Sequence, residues 1–107
     1  MLSLIVPARN NAPTTAACVR SALNSLDRLK LACELVLIDD AGGGADPNIL
    51  PLFKQLRAEA APHEVIIAQT RTRFHYSGVF ALGPHLARRE NVFFLSNDMI
   101  ITPAFFL

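Results

Sequence analysis

The stretch Glu34-Leu35-Val36-Leu37-Ile38-Asp39-Asp40 places four consecutive branched aliphatic residues in front of a pair of carboxylates. Residues 34–38 are a predicted strand, and three other runs have a similarly apolar composition: residues 2–6, 64–68 and 92–95. A run that is apolar at nearly every position is buried on both faces, which is typical of a parallel sheet covered by helices. The sequence therefore predicts a sheet of four buried parallel strands.

Three predicted helices separate these strands: residues 14–29, about 46–60 and about 77–88. The second is expected to start at Asp46-Pro47, because the acid can cap a helix and proline suits its first turn. In the third we expect a kink or break at Gly83-Pro84, since proline costs about 3 kcal/mol inside a helix. Alternating strands and helices predict an α/β fold, a Rossmann-like parallel sheet with flanking helices.

Composition restricts the classes of function. With 107 residues, 51% of them hydrophobic and 18% charged, the chain is expected to form one globular domain. A net charge of +1 without a basic block does not favour nucleic acid as a partner. No apolar run approaches the roughly 20 residues of a membrane-spanning helix, so none is predicted. Cys18 and Cys33 lack metal or redox spacing, and two buried thiols suit a cytoplasmic location.

Polar residues follow each predicted strand, and ligands of such sheets bind beyond the carboxyl ends of the strands. Crowded carboxylates repel one another, so a cation or hydrogen-bond donors from a ligand would relieve them. Asp98 suits Mg²⁺ or Mn²⁺, although an acid after a strand is often only a helix cap. The Asp39-Asp40 pair suits ribose hydroxyls or a base N–H, and Arg71 and Arg73 suit a diphosphate.

Two other patterns are interpreted as structural. Gly42-Gly43-Gly44 lacks the lysine of a phosphate-binding loop and the spacing of a dinucleotide fingerprint, so we interpret it as a flexible turn. The three histidines, His63, His75 and His85, do not share ligand spacing and do not favour a zinc site.

Four motifs in order resemble the N-terminal half of a family 2 glycosyltransferase with the GT-A fold. They are a hydrophobic strand with a P-x-Y-N-like turn at residues 4–10, an E-hydrophobic-V-D-D-like strand end at 34–40, an F-N-Y-S-like stretch at 74–77, and an L-N-N-D-like stretch at 95–99 before Thr102-Pro103. The last two motifs are similar to those of enzymes that build rhamnose-containing and other surface polysaccharides. The resemblance covers essentially the whole chain.

The resemblance implies a nucleotide-diphosphate sugar as the ligand and transfer of the sugar with inversion. Residues 7–9 (Pro7, Ala8 and Arg9) and Asp40 would hold the nucleoside, with Asp39 and Arg73 as further contacts. Ser96, Asn97 and Asp98 stand where the family has its DxD motif, whose last acid binds the divalent ion. Ser96 replaces the first acid, which leaves Asp98 as the sole carboxylate of this motif.

Alternative functions stay open at this point. A complete catalytic domain of this family is considerably longer, so we expect residues 1–107 to be a fragment of a longer glycosyltransferase domain. Such a fragment would bind the sugar donor but would not catalyse transfer by itself. The alternative is a degenerate, non-catalytic GT-A-like interaction module, and a homodimer that shields apolar surface suits either hypothesis. A phospho-receiver domain is less favoured, because the acidic pair follows the second strand and the only lysines are Lys30 and Lys54.

Overall fold

The computed structural model describes residues 1–40, 46–70 and 82–107. The strands are β1 (Leu2–Ala8), β2 (Cys33–Asp39), β3 (Glu64–Gln69) and β4 (Asn91–Phe94), and the helices are α1 (Ala12–Arg28) and α2 (Ile49–Ala60). Residues 82–86 are also helical, and a 3₁₀ turn spans Pro103–Phe106. All four predicted strands and the first two predicted helices are confirmed, with ends that differ by a few residues.

The four strands form one parallel sheet in the order β3-β2-β1-β4. The chain moves outward from β1 to β3 and then returns to the other side of β1 with β4. The strand order therefore changes direction between β1 and β4. Because crossovers are right-handed, α1 and α2 lie on one face of the sheet and the connection to β4 lies on the other. The predicted Rossmann-like α/β class is confirmed.

The larger part of the core lies between the sheet and the helices α1 and α2. Both central strands are almost fully buried, and every residue of β2 is buried. Helix α1 supplies Val19, Ala22 and Leu26 at spacings of three and four, and α2 supplies Phe53 and Leu56, all without exposed surface. The amphipathic pattern of the two helices therefore explains their position on the sheet.

The second face of the sheet carries a smaller cluster made of Ile5, Val36 and Ile38, which the helical residues 82–86 cover. Gly83 lies so close to the sheet that a Cβ atom there would stand 2.8 Å from Ile5 Cδ1. The helix continues through Gly83 and Pro84, so the expected break does not occur between residues 82 and 86. Residues 77–81 of the predicted helix lie outside the described residues.

Asp46 precedes α2 but does not start it. The helix begins at Ile49, three residues later than the Asp-Pro pattern predicts. The carboxylate of Asp46 accepts from the Asn48 N–H at 2.9 Å and from the Ala12 N–H, at the start of α1, at 3.4 Å. The acid therefore stabilises the turn before α2 and the first turn of α1 together, a contact across 34 positions that a local capping pattern does not contain.

Candidate functional site

The carboxyl ends of the strands lie side by side and bring most of the predicted site residues to one edge of the sheet. Ala8 at the end of β1 is paired with Asp39 at the end of β2, and the Asp40 N–H donates to the Ala8 carbonyl at 2.9 Å. On the other side of β1, β4 ends earlier, where Phe94 pairs with Ile5. The segment after β4 therefore starts beside the last residues of β1, which places Ser96, Asn97 and Asp98 at the same edge as Asp39 and Asp40.

Asp39 is a buried acid at the carboxyl edge of the sheet. Its Oδ2 accepts from Gln69 Nε2 at 3.0 Å, whereas Oδ1 is shielded from water and has no hydrogen-bond partner among the described residues. Burial raises the pKa of the Asp39 carboxyl; the hydrogen bond from Gln69 lowers it, and the charges of Asp40 and Asp46 raise it further. A donor from a ligand would relieve this site.

Asp40 is held in place by a residue that sequence reasoning did not assign to the site. Thr70, directly after β3, is buried and donates its hydroxyl to Asp40 Oδ1 at 2.9 Å. The Thr70 N–H also donates to the Asp39 carbonyl at 2.9 Å, so this threonine fixes both the backbone and the side chain of the acidic pair. Its position in the Gln69-Thr70-Arg71 stretch at the end of a predicted strand indicates such a role, but only Arg71 in that stretch was predicted to contact a ligand.

Asp46 is a second residue that was missed. Its N–H donates to the Arg9 carbonyl at 2.9 Å, so the segment before α2 lies against the turn after β1. It also contributes to the negative charge around Asp39. Interpreting Asp46 only as a local helix cap hid this role, although a third acid soon after Asp39-Asp40 was visible in the sequence.

The segment after β4 is fastened to α1. Asn97 Nδ2 donates to Thr15 Oγ1 at 2.9 Å and to the Asn10 carbonyl at 3.3 Å, while the side chain of Asp98 is exposed. The Cys18 thiol donates to the Ser96 carbonyl at 3.3 Å. Burial raises the pKa of this thiol; the Met99 N–H lowers it and the charge of Asp98 raises it, so the thiol keeps the proton that it donates.

The described residues offer few protein ligands for a divalent ion. Within residues 1–40, 46–70 and 82–107, no three His, Cys, Asp or Glu side chains come together as a metal site. Mg²⁺ is commonly bound by one or two carboxylates, with phosphate oxygens and water as the other ligands. Asp98 is exposed and fits that role, so these residues suit an ion shared with a diphosphate better than an ion held by protein ligands alone.

The other predicted site residues lie at the end of β1 or outside the described part of the chain. Pro7 and Arg9 are half-buried at the end of β1, and Ala8 is buried between them. Arg73 lies outside the described residues, as do Arg71, the three glycines at 42–44 that were predicted to form a turn, and the stretch at 74–77. In the part of the chain that is described, no helix is both long enough and apolar enough to cross a membrane.

The fold is similar to that of a solved bacterial protein. Comparison with the crystal structure of S. aureus TarS 1–349 gives a TM-score of 0.79 at 21% identity, covering 97% of this chain and 29% of that one. The complex of TarS 1–349 with UDP gives 0.75 at 23% identity, covering 95% and 28%. The chain thus spans less than a third of the length of these proteins, and at such identities the likeness concerns the fold.

The sequence comparison identifies the family. No curated protein matches the chain. The family model described as Glycosyl transferase family 2, however, matches residues 3–107, which is nearly all of the sequence. The chain therefore belongs to glycosyl transferase family 2.

Proposed function

We propose that this chain binds the nucleotide part of a nucleotide-diphosphate sugar at the carboxyl edge of its sheet. The observation that carries the proposal is the buried Asp39 Oδ1, which has no donor among the described residues although it lies at the end of a central strand. Leaving a buried polar atom unpaired costs about 1–3 kcal/mol. A base N–H or a ribose hydroxyl would supply the missing hydrogen bond, and the UDP complex of a protein with the same fold agrees with a ligand of this class.

The neighbouring residues have complementary roles in this proposal. Asp40, oriented by Thr70, accepts from the ribose or the base. Residues 7–9 (Pro7, Ala8 and Arg9) form the adjacent wall, and Arg73 contributes to diphosphate binding. Ser96 and Asn97 bring the loop after β4 to the diphosphate, and Asp98 holds the divalent ion.

Mg²⁺ or Mn²⁺ would neutralise the charge that develops on the diphosphate when the bond to the sugar breaks. What Asp98 contributes is one exposed carboxylate on a segment that is otherwise fastened to α1. In the parent enzyme, the sugar is transferred to an acceptor hydroxyl with inversion. The free thiols Cys18 and Cys33 support a reducing, cytoplasmic location for this reaction.

Calorimetric titration with UDP, GDP and dTDP, each with and without Mn²⁺, tests the proposal. We expect one of the three to bind, and Mn²⁺ to strengthen its binding, because Asp98 and the diphosphate share the ion. Asp98→Asn should remove the gain from Mn²⁺ and retain the binding seen without metal. Glu90→Gln is the matched control, since Glu90 is an exposed acid at the opposite end of β4. A folded protein that binds none of the three nucleotides contradicts the proposal.

A non-catalytic interaction module is the second candidate. It is favoured by Ser96, which stands in place of an acid and leaves Asp98 alone in the motif. This candidate predicts no nucleotide binding together with self-association, so sedimentation of the folded protein over a range of concentrations separates it from the first. A monomer at high concentration that binds nucleotide excludes it.

A further inference from the structure

One face of α1 carries a row of polar side chains. Thr15, Cys18, Ser21 and Ser25 follow one another at spacings of three and four, so they line one side of the helix. Thr15, Cys18 and Ser25 are buried, and Ser21 is half-buried. Burying polar groups is unfavourable unless they are hydrogen-bonded, so the partners of this row indicate its purpose.

The hydroxyls of Thr15 and Ser21 donate locally, to the carbonyls of Asn11 at 3.1 Å and Cys18 at 2.7 Å. The long-range partners of the row all lie in one segment of the chain, residues 96–101. Thr15 Oγ1 accepts from Asn97, and the Cys18 thiol donates to the Ser96 carbonyl. Further along, Ser21 Oγ accepts from the Ile101 N–H at 2.8 Å, and Ser25 Oγ donates to the Ile101 carbonyl at 3.0 Å. All four side chains of the row therefore bond to residues 96–101, which lie between 76 and 82 positions away in the sequence.

The segment needs these contacts because it has no regular structure of its own. Residues 95–102 lie between β4 and the 3₁₀ turn and belong to neither helix nor strand. Backbone N–H and C=O groups that lack partners in a sheet or helix must find them elsewhere. Helix α1 supplies several of them, so the conformation of this stretch is set by the side chains of α1.

We propose that Thr15, Cys18, Ser21 and Ser25 are positioning residues that hold the Ser96–Asp98 segment in the geometry required for the shared divalent ion. This inference rests on the proposed nucleotide-sugar function and adds the helix that controls it. Asp98 is exposed and reaches an ion from a loop, and a binding group on a loop needs support from neighbouring hydrogen bonds to hold its geometry. The row on α1 is that support.

Thr15→Val tests the proposal, because valine has nearly the shape of threonine but cannot accept from Asn97. The probe is UDP, titrated with and without Mn²⁺. We expect the gain in UDP affinity that Mn²⁺ provides to be about threefold to tenfold smaller in the variant, and the UDP affinity without Mn²⁺ to be unchanged. Thr15→Ser, which keeps the hydroxyl, should restore the gain. Thr14→Val is the matched control, since Thr14 is the neighbouring half-buried threonine outside the polar row.

An equal loss of UDP affinity with and without Mn²⁺ would show a merely structural role and overturn the proposal. So would a loss that Thr15→Ser does not reverse. If GDP or dTDP is the nucleotide that binds, the same titration is made with that nucleotide.

Hydrogen exchange of the free protein provides an independent measurement. Thr15→Val should speed the exchange of the Met99 and Ile101 amides severalfold and leave the amides of β1 and β2 unchanged. Unchanged exchange at these two amides overturns the positioning role even where the nucleotide binds. If the unmodified chain binds no nucleotide, the proposed function fails, and exchange still decides whether α1 holds the segment.

Discussion

Asp39 lies at the centre of the candidate site, and its burial lowers the stability of the folded protein. Its carboxylate is buried and close to the acids Asp40 and Asp46, and within the described part of the chain only one of its oxygens is hydrogen-bonded, to Gln69. A buried carboxylate of this kind lowers stability but can be retained because it binds a ligand, since residues optimised for binding are often not optimal for folding. The same residue should therefore respond in opposite directions in assays of stability and of binding.

Asp39→Asn should stabilise the folded protein at pH 7 by about 1 kcal/mol and abolish nucleotide binding. Because the folded state raises the pKa of Asp39 above its ordinary 3.8, ionisation disfavours folding. This penalty is absent well below pH 4 and grows as the pH rises through the folded pKa, so the stabilisation should shrink toward acid.

Urea unfolding of both proteins at pH 3.5 and pH 7 measures the difference. Asp98→Asn, a change at an exposed acid, should alter stability by less than about 0.5 kcal/mol at either pH. A destabilised Asp39→Asn protein at pH 7 would mean that the charge of Asp39 is already compensated in the free chain.

At the scale of elements, the sheet and its first two helices could be predicted because their signals are local. The buried run of β2 and the periodic apolar residues of α1 depend on neighbours a few positions away. The start of α2 was misplaced because Asp46 also bonds to α1, and Thr70 was overlooked because its partner Asp40 follows a different strand. Contacts of this kind depend on strand order, which no local pattern contains.

Gly83 determines how closely the helical residues 82–86 approach the second face of the sheet. An alanine Cβ would lie 2.8 Å from Ile5 Cδ1 and 2.9 Å from Ile5 Cγ2, and Ile5 is fully buried. Overpacking costs about 1–3 kcal/mol, which exceeds the 0.5–1 kcal/mol or so that alanine gains over glycine in a helix. We therefore expect Gly83→Ala to lower the free energy of unfolding by about 1–2 kcal/mol.

Denaturant unfolding checks this value, with His85→Ala as the control at an exposed position of the same helical stretch. Combining Gly83→Ala with Ile5→Val removes the nearest contact atom and should recover part of the loss. If the double variant is no more stable than the sum of the two single changes predicts, the clash with Ile5 is not the cause.

In the whole molecule, the two ends of the sheet have different electrostatics. The carboxyl end gathers acids, whereas at the amino end Glu34 is fully buried and paired. It accepts from the Ser3 hydroxyl at 3.0 Å, the Arg88 N–H at 2.7 Å and Arg88 Nε at 2.6 Å. Arg88 and Arg89 each form an ion pair with Glu64. This network therefore joins β1, β2, β3 and the chain before β4. The buried acid at the amino end is thus neutralised within the chain.

Glu34→Gln should destabilise the protein by about 1–3 kcal/mol at pH 7. Burial alone would raise the pKa of Glu34, but the hydrogen bonds from Arg88 and Ser3 and the charge of Arg88 together lower it below the ordinary 4.5. Its ionised form therefore favours folding above about pH 4.5, and this contribution disappears as the pH falls through the folded pKa.

Thermal unfolding between pH 3 and pH 7 should show that the difference between the two proteins narrows toward acid. The exposed Glu90→Gln serves as the control and should follow the unmodified chain throughout. A constant difference across this range would assign the loss to packing rather than to charge.

The pairing of β1 with β4 also bears on the order in which the molecule acquires its structure. β1 and β2 join residues about 31 positions apart, whereas the pairing of Leu2 with Asn91 closes a loop that spans most of the chain. Closing a longer loop costs more chain entropy, and contacts between distant residues slow folding. During synthesis, β1 to β3 leave the ribosome before β4 does. The candidate site is consequently completed last, when the final strand docks, and it is the first part to be lost when that strand detaches.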